Sequence, residues 1–472
     1  MRNAATLTAL MLPLALTGCV VGPDYARPDI AQPSEFRSQI TPADASSFAD
    51  LAWWDVFDDP ALQALIQTSV DNNNDLAIAA ARIEQARALV GASEADALPQ
   101  VNYSGFAGGE ETFVPTPTQI GTAEFVSIGG ALDAAWELDI WGRIKRQTEA
   151  AQANLYAQEE VRRGIMLTLV SDIAAGYFRL LELDRELAIA QDSRTVFGKT
   201  HELFDLRYRA GRDNRLPVER AAAALSSSDN RVANLKIEIA QQENALSVLA
   251  GGYPRAIERG RSLLDQRMPA TPVGLTTDLI QRRPDIRRAE QDMISANALV
   301  GEAIAERYPR IGLAALAGII GVNGEGPLDG TFGLWRAGAT LAGPIFDGGR
   351  LEALYNERKA FWDESVAQYR QTILVAFRET SDALVAQQNL VDRRAALERQ
   401  VAALRQSVEL ADLRYRNGRA SYFEVIEAQQ QLYPIEAELA RVQQEQLVAV
   451  VNLYKALGGG WKLTDEQWTR PG

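Results

Sequence analysis

The chain is predicted to be mainly α-helical with a membrane β-part built from two tandem copies of one unit. Three observations carry this. A long block of sequence returns, proline is missing from two stretches of about ninety residues or more, and a Gly-rich strand–loop–strand pattern precedes each stretch. The repeat is direct. Glu202-Leu-Phe-Asp-Leu-Arg-Tyr-Arg-Ala-Gly-Arg212 comes back as Glu409-Leu-Ala-Asp-Leu-Arg-Tyr-Arg-Asn-Gly-Arg419, nine of eleven positions agreeing at an offset of 207. That offset also aligns Gly142-Arg143 with Gly349-Arg350; upstream it becomes 210, where Leu89-Val90-Gly91 meets Leu299-Val300-Gly301 and Pro99 meets Pro309.

The elements of each copy follow in order. Residues 61–98 and 278–307 are rich in Ala, Leu, Arg and Glu and read as helix. Residues 100–136 change character: Val101, Tyr103 and Phe106 stand among Gly, Thr and Ser, Pro115-Thr-Pro117 punctuates, and Phe125, Ile128, Leu132 and Trp136 lie beyond. Residues 310–343 repeat the pattern around the loop Gly324-Glu-Gly-Pro-Leu-Asp-Gly330. Each strand, at about 10–13 residues, is long enough to cross an outer membrane when tilted. Long helices are expected over 138–209 and 350–416, with return helices over 217–250 and 421–457. Met166, Val170, Ile173, Tyr177, Leu180 and Leu187, and again Leu390, Leu397, Val401, Leu404, Val408, Ala411 and Tyr415, follow the 3–4 spacing of a coiled-coil seam. Gly211 and Gly418 fit helix C-caps, and Pro434 is expected to kink or break the second return helix. The division is thus 1–18, 19–60, a first repeat over 61–260, a second over 261–460, and a tail over 461–472.

Composition removes several classes of function. With Lys+Arg 48 against Asp+Glu 62, the net charge of −14 argues against nucleic acid as the partner. One Cys and one His exclude a Cys/His zinc site, an Fe–S cluster and an intrachain disulfide. Gly348-Gly349-Arg350 lacks the Lys-Ser/Thr of a phosphate loop, and no acid/base constellation supports an enzyme. Past the N-terminus no stretch of 18 uncharged apolar residues is expected to span a membrane as a helix.

The N-terminus reads as a processing signal over 1–18. Arg2 precedes an apolar run from Ala9 to Leu16, and Leu16-Thr17-Gly18-Cys19 looks like a bacterial lipobox. Cys19 would then be the first residue of the mature chain and carry N-palmitoyl and S-diacylglycerol groups. No other cofactor is expected.

Four membrane-length strands cannot stand alone. Lipid leaves an open sheet edge unsatisfied, and closed bacterial barrels have at least eight strands. Several chains must share one barrel, and three would give twelve strands. Long seams likewise need neighbours, and twelve helical segments in a ring would make a hollow tube below the barrel.

Cys19-Val20-Val21-Gly22-Pro23-Asp24-Tyr25-Ala26-Arg27-Pro28, Trp53-Trp54 with Phe57-Asp58-Asp59-Pro60-Ala61-Leu62, Trp136-Glu-Leu-Asp-Ile-Trp-Gly-Arg143, Gly343-Pro-Ile-Phe-Asp-Gly-Gly-Arg350, and the paired Tyr208-x-x-Gly211 and Tyr415-x-x-Gly418 together resemble the TolC-type outer membrane factors. The likeness is greatest to their lipoprotein branch serving multidrug efflux. It implies a homotrimer with a twelve-stranded barrel in the outer membrane and an α-helical barrel across the periplasm. It also implies a passive duct, joined to an inner-membrane transporter of the resistance-nodulation-division type by a periplasmic adaptor. Tyr208, Gly211, Tyr415 and Gly418 would form the hairpin tips where the adaptor docks. Glu424 and Glu427, on one face of the returning helix, would ring the periplasmic constriction and favour cations, with Tyr415 and Arg419 holding it shut. The first tip departs from this, since Pro217 and Arg220 fill the matching slots. An outlet for type I protein secretion or metal-ion export stays open within the family. So does a lipid-anchored periplasmic scaffold outside it, although a scaffold has no need of membrane-length strands.

Overall fold

The computed structural model describes residues 20–31, 33–37, 50–51, 56, 58–115, 120–269, 271, 276–324 and 330–460. Cys19, Trp53-Trp54, Phe57, the loop 325–329 and the tail 461–472 lie outside the described residues.

The elements run α1 Pro60–Asn72, α2 Asn74–Ala95, β1 Gln100–Pro115, β2 Ile120–Glu137, α3 Arg143–Arg209, α4 Leu216–Leu249, α5 Thr276–Arg282, α6 Pro284–Ala305, β3 Arg310–Gly324, β4 Gly330–Ala342, α7 Arg350–Arg416 and α8 Tyr422–Ala456. In space the halves interleave. One compact unit takes residues 1–29, 83–158 and 289–369, and the other takes 30–82, 159–288 and 370–472. A repeat in sequence is therefore not a domain in space.

In the first unit the four strands form one antiparallel sheet in the order β1-β2-β3-β4. The strands have 16, 18, 15 and 13 residues, so three exceed the expected 10–13. The excess on β2 is at its start, which reaches back to Ile120; past its end Leu138 donates its N–H to Ile311 O at 2.8 Å, and α3 begins only after Gly142. Pairing partners share a face, and the faces differ. Val101, Tyr103, Gly105 and Ala107 on β1 lie with Ile128, Leu132 and Trp136 on β2, Ile311, Leu313 and Ile319 on β3, and Trp335, Ala337, Ala339 and Leu341 on β4. The other face holds Asn102, Ser104, Asp133, Glu137 and Arg336 among apolar Phe106, Leu316, Ile320 and Leu334, with Asn102 Nδ2 donating to Asp133 Oδ2 at 3.2 Å. Below the sheet, residues 20–29 are tied down. Val21 N–H donates to Trp141 O, the buried Arg146 reaches Asp24 at 2.9 Å, and Arg27 grips both oxygens of Glu290 at 2.6 Å.

In the second unit the core gathers Leu62, Ile66 and Val70 of α1, Met166, Val170, Ile173, Tyr177 and Leu181 of α3, Leu246 of α4, and Val450, Val451 and Tyr454 of α8. Each such side chain stabilises the fold by about 1.5–3 kcal/mol. By length and composition α3 holds a window apolar enough to cross a membrane, but its seam residues Val170, Ile173, Tyr177 and Leu180 are 0–1% exposed, as suits a core helix. The second seam differs: Val401 and Ala411 are buried, while Leu390, Leu397, Leu404 and Val408 are only partly covered.

Three expectations are corrected. The helix read over 278–307 divides into α5 and α6 at Arg283. The helix read over 61–98 divides at Asn73, whose backbone is extended (φ −68°, ψ 128°). Its Oδ1 accepts from Asp75 N–H at 2.8 Å and Leu76 N–H at 3.2 Å, capping α2, and its Nδ2 donates to Leu249 O. Pro434 does not end α8, which runs unbroken from Tyr422 to Ala456. A mid-helix proline costs about 3 kcal/mol. Burial on both sides of it, at Ile426 and Leu432 and then at Ala440 and Leu447, offsets that cost.

Candidate functional site at the hairpin tips

The two helix hairpins, α3–α4 and α7–α8, end in short turns built alike. Arg209 and Arg416 are the last helical residues. Gly211 (φ +67°) and Gly418 (φ +68°) then take the left-handed conformation that costs other residues a Cβ clash. Gly211 N–H donates to Tyr208 O and Arg212 N–H to Arg207 O, both at 2.9 Å. Gly418 N–H to Tyr415 O and Arg419 N–H to Arg414 O repeat this at the same 2.9 Å. Each pair is a Schellman closure, which satisfies the last free carbonyls of the long helix. The chain re-enters α4 through Leu216, whose N–H is held by Asn214 Oδ1 at 3.0 Å, with Pro217 in the first turn. It re-enters α8 after Ser421, whose extended backbone (ψ 153°) makes the corner.

Between the hairpins lies a set of aromatic and charged contacts. Arg207 Nη1 donates to Tyr415 Oη at 2.6 Å, and its guanidinium carbon lies 5.7 Å from that ring's centroid. The Tyr415 ring meets Tyr422 edge-on at 4.8 Å, and Tyr422 meets Phe204 at 5.2 Å. The Tyr422 hydroxyl and Thr200 Oγ1 share a hydrogen bond of 2.8 Å. Arg220 stacks over Phe423 at 4.6 Å. Behind this layer Phe197 and Ala224 pack on Ile426, flanked by Tyr433. Burial pushes the Tyr433 hydroxyl up to about 12, so it stays neutral.

Tyr415 thus touches α3 of the other hairpin, but through Arg207. Arg419 is exposed; its backbone closes the turn and its guanidinium meets no carboxylate among the described residues. Tyr208 is 43% exposed and supplies its carbonyl to the first turn. Glu424 lies 3.2 Å from Arg414 across its own hairpin, a half-exposed pair. Glu427 is exposed one turn on and has no cationic partner among the described residues. Pro217 and Arg220 stand at the matching places of the first hairpin. Sequence reasoning passed over Arg207, Thr200, Tyr422 and Phe423. Arg207 had a visible signal, the duplicated Leu-Arg-Tyr-Arg, in which Arg207 and Arg414 are equivalents; one now binds Tyr415 and the other Glu424.

A four-stranded sheet of long strands, two 67-residue helices and two paired tips describe a channel subunit. The chain belongs to the outer membrane efflux protein family, whose profile matches residues 65–252 and again 275–459, one match in each repeat. It is 31% identical over 457 residues to the cation efflux system protein CusC of Escherichia coli K12, covering 95% of this chain and 97% of that protein. It is 32% identical over 470 residues to the toluene efflux pump outer membrane protein TtgC of Pseudomonas putida, covering 96% of each. Among solved structures it resembles the outer-membrane channel OprN, with a TM-score of 0.83 at 31% identity, covering 94% of this chain and all of that one. The chain is an outer-membrane efflux channel that reaches into the periplasm.

Proposed function

We propose that three copies of this chain form the exit duct of a tripartite efflux pump, with twelve strands closing a barrel in the outer membrane and the long helices forming a periplasmic tube. The observation that carries the reading is the sheet. Its strands are long enough to span, the face of Val101, Tyr103, Leu132 and Trp136 is apolar up to Glu111, and β1 and β4 end it with free edges that lipid cannot satisfy. The half-covered seam of α7 points the same way, since a helix of that length buries its apolar stripe against neighbours. Cys19 carries the lipid; Val21, two residues on, is already hydrogen-bonded beside the sheet-to-helix junction, which suits an anchor in the inner leaflet.

The duct is passive and is driven by an inner-membrane transporter of the resistance-nodulation-division type through a periplasmic adaptor. The tips around Tyr208, Gly211, Tyr415 and Gly418 are the docking ends. Tyr415 forms the closing contact with Arg207, Arg419 extends the exposed surface of the second tip, and Glu424 and Glu427 supply the acidic ring. The likeness to CusC, a cation efflux protein, makes metal-ion export the second reading; in both, the pump chooses the cargo. Planar-bilayer conductance of the detergent-purified protein, with its mass measured on the same sample, tests the reading. Trimers with small cation-selective steps are expected. A monomer without conductance overturns it.

A further inference from the structure

The two hairpins share a cavity of about 440 Å³ behind the tip contacts, lined by α3, α4 and α8. That volume falls within the range of small-molecule sites, roughly 300–1,000 Å³. Its two ends differ in chemistry. Glu186, Arg231, Glu438 and Arg441 stand at one end, and Phe197, Ala224 and Tyr433 stand at the other. Glu186 and Phe197 are eleven residues apart on α3, so about 16 Å separates the ends at about 1.5 Å per residue. Ile189, Ala190 and Ala437 line the stretch between them. At the far end Phe197 meets Tyr433 edge-on at 5.9 Å.

The charged end does not balance. On α3 and α4, Arg179 holds Glu182 and reaches Glu238 at 3.2 Å, while Arg231 holds Glu186 and reaches Glu238 at 3.3 Å. Two guanidinium groups thus face three carboxylates. Across the cavity α8 does not offset the excess, because Glu438 and Glu445 already match Arg441 and Arg393 of α7. At the aromatic end Asp192 and Glu436 lie near the Tyr433 hydroxyl, and Glu436 is met by Arg405. Glu182 is fully buried with Oε1 unpartnered. Burial, reinforced by Glu186, pushes its carboxyl up to about 8. One proton on Glu182 makes this ring of five side chains neutral, and its loss leaves one negative charge unmatched.

We infer that this cavity is a binding site for an elongated organic monocation, whose charged group sits beside Glu186 and whose apolar tail lies along Ile189 toward Phe197 and Tyr433. Glu186, unlike Glu182, lines the cavity and is within reach of an occupant. A metal ion does not fit: among the described residues no group of three His, Cys, Asp or Glu side chains could hold one. Aromatic rings and an apolar wall suit an organic cation instead. The occupant and the Glu182 proton supply the same missing charge, so they compete. An occupant touches α3 and α4 of one hairpin and α8 of the other, and so ties the hairpins together behind the Arg207–Tyr415 contact. The cavity lies within one chain, so the inference stands apart from the proposed trimer.

Isothermal titration calorimetry with phenylbutyltrimethylammonium, on the full-length protein purified in a non-ionic detergent, tests this. The probe keeps its charge at every pH. One site per chain is expected, with a Kd that falls roughly tenfold between about pH 6 and pH 8.5 as the Glu182 proton leaves. Phenylbutanol, which has the tail without the charge, should bind about tenfold more weakly or worse. Glu186→Gln should weaken the cation roughly tenfold and flatten its pH dependence. Ser227→Trp fills the cavity from its exposed wall and should abolish binding. Equal affinity for the alcohol, a Kd indifferent to pH, or wild-type binding in either variant overturns the inference.

Discussion

Tyr415→Phe removes one hydroxyl from the tip and leaves the ring in place. The ring still meets Tyr422 at 4.8 Å and still lies under the Arg207 guanidinium, so packing and the cation–π contact survive. What goes is the 2.6 Å bond from Arg207 Nη1 to Tyr415 Oη. A hydrogen bond to a charged group contributes about 1.5–3 kcal/mol. Arg207 is exposed, so solvent discounts this to about 1 kcal/mol. In a trimer whose tips open together the loss triples to about 3 kcal/mol, which raises the open-to-closed ratio roughly 100-fold at about 1.4 kcal/mol per decade. Single-channel recording in planar bilayers should show longer or larger openings for Tyr415→Phe. Arg207→Gln should do the same, and the double variant should add little, because the two side chains form one contact. Wild-type open probability in both single variants would refute the reasoning, and fully additive effects would show that the residues act apart.

Three other perturbations follow from the structure. Asp59 is fully buried; its Oδ1 caps α1 through Ala61 and Leu62 N–H, and its Oδ2 accepts from Tyr177 Oη, Arg261 N–H and Gln266 Nε2. Asp59→Asn sets an amide N–H₂ against donors and should cost on the order of 2 kcal/mol, read as a lower denaturation midpoint in thermal scans; an unchanged midpoint would refute the hub. Glu182 is fully buried with Oε1 unpartnered, and burial, eased by Arg179 and reinforced by Glu186, pushes its carboxyl up to about 8. The folded chain then holds a proton that the unfolded chain releases near pH 4.3, so this contribution to stability is lost as pH rises from there toward 8. Glu182→Gln should flatten that slope in melts across pH 5–9, and an identical slope would sink the assignment. Glu424→Gln with Glu427→Gln removes two carboxylates per chain and should lower cation over anion selectivity in reversal-potential measurements; unchanged selectivity would place the filter elsewhere.

Much of the architecture was legible because its signals are local and repeated. Two Gly-terminated Leu-Arg-Tyr-Arg blocks mark the turns at Gly211 and Gly418, since a Schellman closure is specified within six residues. The strand pattern could be read from alternation and glycine content, but its ends could not: β2 starts at Ile120, ahead of Phe125, because Ile120 pairs with Pro115 across the hairpin. Asn73 hid its role for the same reason. An Asn between two helical runs is a weak break in sequence, and Leu249 O is what fixes its side chain. Of the kink or break expected at Pro434, the break does not occur, and local propensity says nothing of the burial on either side of it. At the tip, Tyr415 could be picked out from its repeat, while its partner Arg207 depends on how two hairpins pack.

The repeats are most informative where they disagree. Tyr208 and Tyr415 are equivalent in sequence, yet only Tyr415 receives an arginine from the other hairpin; Tyr208 stays exposed. Glu424 and Glu427 face Pro217 and Arg220 at matching slots, so an acidic ring can form on one hairpin per chain only. Trp141 and Tyr308 stack on each other, while Gly348 and Leu98 stand at the matching repeat positions. Identical repeats would give the proposed trimer six equal tips. In the proposed trimer these departures leave threefold symmetry, with two kinds of tip. A duct that opens at its tips, as proposed, gains from such a division, because the Arg207–Tyr415 contact closes one kind of tip only.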